Sequence, residues 1–130
     1  MRFLNPKIHG FIDWFIVVFF IVSPKLLEME KKATNFTYAL AVIYFVLTVA
    51  TNYKAGVARV IPFFAHGVFE LMFGVAMIIS ANSYFTTDPF GRVFFCWVGG
   101  AILVFWLFTN YEKPKLKKSK LAAKRELSQS

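Results

Sequence analysis

Charge is missing from long tracts of this chain. No Asp, Glu, Lys or Arg occurs between Lys32 and Lys54 or between Arg92 and Glu112, and Glu70 alone interrupts the span from Arg59 to Asp88. A helix needs roughly 20 mostly apolar residues to cross a bilayer. These three tracts reach that length, and residues Phe3–Val22 form a fourth that carries Lys7, His9 and Asp13. A soluble domain is about one quarter charged, whereas 17% of these 130 residues are charged and 58% are hydrophobic, with 17 Phe. Spanning strands would need a closed barrel with alternating polarity, and no such pattern occurs. The expected fold is therefore all-α, with four transmembrane helices at 6–23, 35–52, 62–82 and 90–110.

Local punctuation fits those bounds. Asn5-Pro6 reads as a cap followed by Pro at the first helical position, and Ile61-Pro62 places Pro in the same way. Thr34-Asn35 is the expected cap of the second helix, and Asp88-Pro89 starts the fourth. Arg2 and Lys7 ahead of WFIVVFFIV resemble a signal peptide, but no small-x-small cleavage site follows. A retained helix is expected. Cys96 is the only cysteine, which excludes an intramolecular disulfide.

Self-comparison exposes a repeat. HGFIDWFIVVFFIVS (9–23) aligns without gaps on HGVFELMFGVAMIIS (66–80), a shift of 57 that sets Asp13 on Glu70. TNY at 51–53 recurs at 109–111, a shift of 58. The expected plan is a tandem repeat of two helical hairpins within a domain spanning 1–111, repeat 1 being 1–56 and repeat 2 being 57–111. Residues 112–130 form a basic, mobile cytoplasmic tail.

Eleven of the fifteen basic residues fall on one side of this plan: Arg2, Lys7, Lys54, Arg59, Lys113, Lys115, Lys117, Lys118, Lys120, Lys124 and Arg125. Lys25, Lys31, Lys32 and Arg92 fall on the other. The positive-inside rule puts both termini in the cytoplasm. A multi-pass protein of the bacterial inner membrane is expected, with the lipid bilayer as its first partner. Lys113, Lys115, Lys117, Lys118 and Lys120 are placed to meet anionic headgroups, each worth about 1 kcal/mol near the surface. Topology and tail account for the net charge of +8, so nucleic acid is not an expected partner.

The polar residues within the spans carry the chemistry. His9 and Asp13 stand one turn apart, as do His66 and Glu70, and residues four apart share a helix face. Hairpins repeated in one orientation are related by an axis along the membrane normal, which sets both pairs at equal depth. Ionisable groups at such depth face the bundle interior. If the first and third helices meet at that axis, His9, Asp13, His66 and Glu70 converge. Three uses compete. One is a structural clamp that fixes helix register in a small subunit packing against itself or a membrane partner. Another is a proton or ion relay. The third is a divalent-metal site on all four residues, or a haem ligated by His9 and His66. The spacing is not the Glu-x-x-His of di-iron bundles. Gly10 and Gly67 reduce bulk beside the histidines, Gly74 permits close approach of the first and third helices, and Gly99 and Gly100 invite a neighbouring helix.

Nothing else points to catalysis. No Walker loop, nucleophile-base arrangement or HExxH occurs. Tyr53, Tyr84 and Tyr111 fall at helix ends, as an aromatic belt requires. A non-enzymatic protein without a cofactor is expected, with the structural use first.

The opening MRFLNPKIHGFID, the linker TNYKAGVARVIP and the second HGVFE resemble the SPW-repeat family of small bacterial integral membrane proteins. The likeness covers residues 1 to about 110 and rests on His9, Gly10, Asp13, Thr51, Asn52, Tyr53, Gly56 and Arg59-Val60-Ile61-Pro62. The name-giving Ser-Pro-Trp motif reads Ser23-Pro24-Lys25 and Ser80-Ala81-Asn82 here. The resemblance implies membrane location and a duplicated four-helix plan, and no established reaction.

Overall fold

A computed structural model describes residues 4–51, 56–109, 111 and 114–129, the side chains of the last stretch from Lys120 onward. Its elements are α1 (Pro6–Leu26), α2 (Lys31–Ala50), α3 (Phe63–Ser83), α4 (Pro89–Phe108) and α5 (Pro114–Gln129). Among the described residues no strand forms beyond two isolated bridges, Leu4 with Thr109 and Thr51 with Ile61. α1 to α4 are 20 or 21 residues long and apolar enough to cross a membrane. At 1.5 Å per residue each spans about 30 Å, the thickness of a hydrocarbon core. Their outward faces are apolar, with Phe11 and Trp97 about three-quarters exposed. The chain is a multi-pass membrane protein.

Several helix ends differ from the sequence expectation, each for a local reason. α1 continues through Pro24 to Leu26. A proline at that position removes one N–H, and the following amides still bond back along the helix. The helix then closes with Glu28 in the left-handed region at φ 48°. There the Met29 N–H reaches the Pro24 carbonyl at 3.0 Å and that of Glu28 reaches Lys25 at 3.4 Å, the double bond of a Schellman ending. α2 starts at Lys31, before the Thr34-Asn35 pair. Thr34 sits inside the first turn, where its hydroxyl donates to the Met29 carbonyl at 3.1 Å. Pro62 precedes α3 instead of opening it. Asn5 and Asp88 cap as expected, accepting from the amides of Ile8 at 3.0 Å and Gly91 at 2.9 Å. The tail, expected to be mobile, contains α5. Arg2, Asn52, Tyr53, Lys54 and Lys113 lie outside the described residues.

Backbones approach most closely within the hairpins α1–α2 and α3–α4. In the second hairpin a Cβ on Gly99 would stand 2.8 Å from the Gly74 carbonyl, and one on Gly74 would stand 3.1 Å from that of Gly99. Gly74 thus meets α4 rather than α1. Gly100 faces open space. Between the hairpins the contact is made by long side chains. Phe20, Tyr44 and Phe73 form an aromatic layer, with Tyr44 and Phe73 centroids 5.3 Å apart. Phe36, Phe85 and Phe95 fill the end where α1 and α3 finish.

The glycine contacts generate a contrast. Gly99→Ala forces carbonyl and helix apart and should cost about 1–3 kcal/mol, despite the better helix propensity of alanine. Gly100→Ala meets nothing and should leave stability unchanged or slightly raised. Thermal denaturation of both variants in one detergent checks this.

Candidate functional site

The starts of α1 and α3 and the ends of α2 and α4 gather at one end of the bundle. Leu4 N–H donates to the Phe108 carbonyl at 3.0 Å, and Ile61 N–H to that of Ala50 at 2.7 Å. These two straps hold the first turns of α1 and α3 beside the last turns of α4 and α2. His9 and His66 each lie in the first turn of their helix, and their backbone amides bond Asn5 and Pro62 carbonyls at 3.1 Å.

His9, Asp13, His66 and Glu70 meet in the interior, each 1% exposed or less. His9 Nε2 stands 3.3 Å from Asp13 Oδ1 and 3.1 Å from Glu70 Oε2. His66 Nε2 stands 3.2 Å from Asp13 Oδ2 and 3.7 Å from Glu70 Oε1. Each histidine therefore reaches the carboxylate of the other helix at least as closely as its own. The imidazole rings lie edge to face with centroids 5.6 Å apart. Carboxylates fill the space between them, which leaves no slot for a porphyrin.

The opposite ring nitrogens are fixed by threonines that leave their helices in extended conformation. Thr51 follows α2 at ψ 138° and Thr109 follows α4 at ψ 137°. Thr51 Oγ1 lies 2.7 Å from His66 Nδ1, and Thr109 Oγ1 lies 2.8 Å from His9 Nδ1. Each hydroxyl donates to the carbonyl four residues back, Leu47 at 2.5 Å and Phe105 at 2.7 Å. A hydroxyl has one proton. With that proton used, the threonine can only accept, so both histidines donate from Nδ1. Their Nε2 atoms are what face the carboxylates.

Two phenols complete the site. Tyr44, fully buried in the middle of α2, donates to Glu70 Oε1 at 2.6 Å and lies 3.1 Å from Asp13 Oδ1. Tyr111 donates to Glu70 Oε2. Burial first, then the Glu70 carboxylate, push the Tyr111 phenol well above its ordinary range, so it remains a donor at physiological pH. Gly67 makes room for its ring: a Cβ there would stand 2.7 Å from Tyr111 Cδ1. Gly10 is buried beside His9.

Sequence reasoning gathered the four ionisable residues and missed the groups that hold them. Tyr111 is a buried hydrogen-bond donor and no belt residue. The repeated TNY carried the signal for Thr51, Thr109 and Tyr111, since it recurs with nearly the same shift as the His-Gly motif. Tyr44 was signalled by its mid-helix position, where a phenol needs a buried partner. Lys120 is exposed on α5, and the side chains of Lys115, Lys117 and Lys118 lie outside the described part. No family model, curated protein or solved structure matches the chain.

Removing a phenol strands a buried acceptor, which costs about 1–3 kcal/mol. Tyr44→Phe should lose that amount. Tyr111→Phe should lose less, because its hydroxyl serves Glu70 alone, whereas that of Tyr44 reaches both Glu70 and Asp13. Denaturation midpoints of the two variants in detergent decide the order.

Proposed function

We propose that this chain is a small structural or interaction subunit of the bacterial cytoplasmic membrane, non-enzymatic, with the histidine-carboxylate cluster fixing its core. Enclosure carries the reading. Four ionisable side chains, each 1% exposed or less, are held by threonines and tyrosines of the same chain. An enzyme or carrier needs its reactive groups to meet substrate, and these groups meet one another. Groups that cross-link four helices in a medium without water set helix register, as interhelical polar contacts do in membranes.

The finer features belong to the same proposal. The chain arose by duplication of a hairpin, which accounts for the paired use of Thr51 on His66 and Thr109 on His9. The resemblance to the SPW-repeat family supports this plan. Both termini face the cytoplasm, supported by the bias of Lys and Arg to that side. The basic helix α5 lies there and binds anionic headgroups, with Lys113, Lys115, Lys117, Lys118 and Lys120 as the contacts. The partner is a second copy or another membrane protein.

His66→Gln and Glu70→Gln test the core assignment. Each should lower the denaturation midpoint sharply, because breaking a buried pair costs about 3–5 kcal/mol. Proton flux through proteoliposomes carrying the unaltered chain should equal that of protein-free vesicles. Flux that depends on Glu70 would make the cluster a relay and end the structural reading.

A further inference from the structure

We infer that His9, Asp13, His66 and Glu70 together bind one divalent first-row transition-metal ion. This goes beyond a polar clamp, and it does not depend on whether the chain is an interaction subunit.

The geometry around the enclosed histidines carries the argument. Thr51 and Thr109 accept from Nδ1 of the two histidines, as their own protons go to backbone carbonyls. A neutral imidazole fixed in this way has a lone pair on Nε2. Each Nε2 faces oxygens of both carboxylates, an arrangement that repels unless protons or a metal ion stand between. Contacts closed by protons on the imidazoles would be short. Charge-assisted N–H···O bonds run about 2.7–2.9 Å, whereas the four contacts are 3.1, 3.2, 3.3 and 3.7 Å. His9 Nε2, fully enclosed, meets no described acceptor at a hydrogen-bonding angle.

These spacings suit a shared ion. Each histidine Nε2 has one oxygen of each carboxylate 3.1–3.7 Å away, a different oxygen for each histidine. One ligand atom from each residue lies within 4.8 Å of all the others; ligand atoms of a tetrahedral ion stand roughly 3.3–3.4 Å apart, so binding draws the widest-spaced of them inward by about 1 Å. A divalent ion with two carboxylates and two neutral imidazoles is uncharged overall, so the enclosed site holds no net charge. The surroundings also match. Metal-bound histidines donate their other N–H to an oxygen, and metal-bound carboxylates are themselves hydrogen-bonded. Thr109 and Thr51 do this for the two histidines, and Tyr44 and Tyr111 do it for Glu70. Two nitrogens and two carboxylates exclude ions that demand all-oxygen or thiolate shells. Zinc suits the tetrahedral spacing best.

The test uses the full chain without an affinity tag, purified in mild detergent with neither added metal nor chelator. Elemental analysis should find about one equivalent of zinc, iron or manganese per chain. After stripping with a chelator, titration with Co²⁺ should produce the intense visible bands of four-coordinate cobalt, saturating at one equivalent and displaced by Zn²⁺. Thr109→Val should weaken cobalt binding about 10–100-fold, the usual cost of losing a partner to a ligand. Asp13→Asn should abolish it. Folded wild-type protein that arrives metal-free and takes up none of Co²⁺, Zn²⁺, Fe²⁺ or Mn²⁺ overturns the inference. So does uptake that Thr109→Val and Asp13→Asn leave unchanged, since the ion then sits elsewhere. If Asp13→Asn does not fold, the wild-type titration and Thr109→Val decide. A metal-free result leaves the structural proposal standing, and Glu70-dependent flux through metal-loaded protein leaves this one standing.

Discussion

An imidazole or carboxylate within hydrocarbon has no water to bond, so its partners must come from the protein. The arrangement of this chain follows from that constraint. α1 brings His9 and Asp13, and α3 brings His66 and Glu70. Neither helix can satisfy its own pair, because each imidazole also needs an acceptor at Nδ1. Thr109 at the end of α4 and Thr51 at the end of α2 supply these. Tyr44 on α2 then bridges the carboxylates of α1 and α3. All four spans are committed to one small volume, which decides how the two hairpins face each other.

The rest of the interior supports that volume by keeping it dry. Phe20, Tyr44 and Phe73 pack together across the hairpins. The Tyr44 ring belongs to this apolar layer while its hydroxyl belongs to the polar cluster. On the opposite side Phe63 and Tyr111 close over His9, with ring centroids 5.5 and 5.7 Å from it. Electrostatic interactions strengthen as water is excluded, so these aromatic covers raise the strength of every contact inside.

Much of this was legible in the sequence. The scarcity of charge over tracts as long as a bilayer marked the four spans without regard to helix propensity. The recurrence of His-Gly-x-x-acid marked the polar quartet, because ionisable residues are rare in such tracts. Helix bounds were less legible, since a proline near a helix end removes only one donor and Glu28 took the left-handed turn more often given to glycine. The partners of the quartet were hidden for a different reason. The repeated TNY and the mid-helix phenol mark Thr51, Thr109 and Tyr44 as candidates, but which of them meets which member of the quartet depends on how the helices face one another, and no local pattern encodes that. Gly74 shows the same limit, since its close approach was readable but its neighbour, Gly99 of α4, was not. The fifth helix was obscured by charge, as a basic run reads as solvated chain whether or not it is helical.

The two oxygens that receive the histidine N–H groups arrive at different moments in the life of the chain. Thr51 is fifteen residues from His66, whereas Thr109 is one hundred residues from His9. Synthesis delivers the N-terminal span first. Asp13 gains Tyr44 with α2 and His66 with α3, but α1 must wait in the lipid with His9 lacking Thr109 until the last helix has been made. His9 lies within one turn of the end of α1, a few ångströms along the axis. That shallow position lets the waiting helix rest with its imidazole at headgroup level, where water can serve. Completion of the fourth span would then draw it under cover, so the finished interior forms as a last act of assembly.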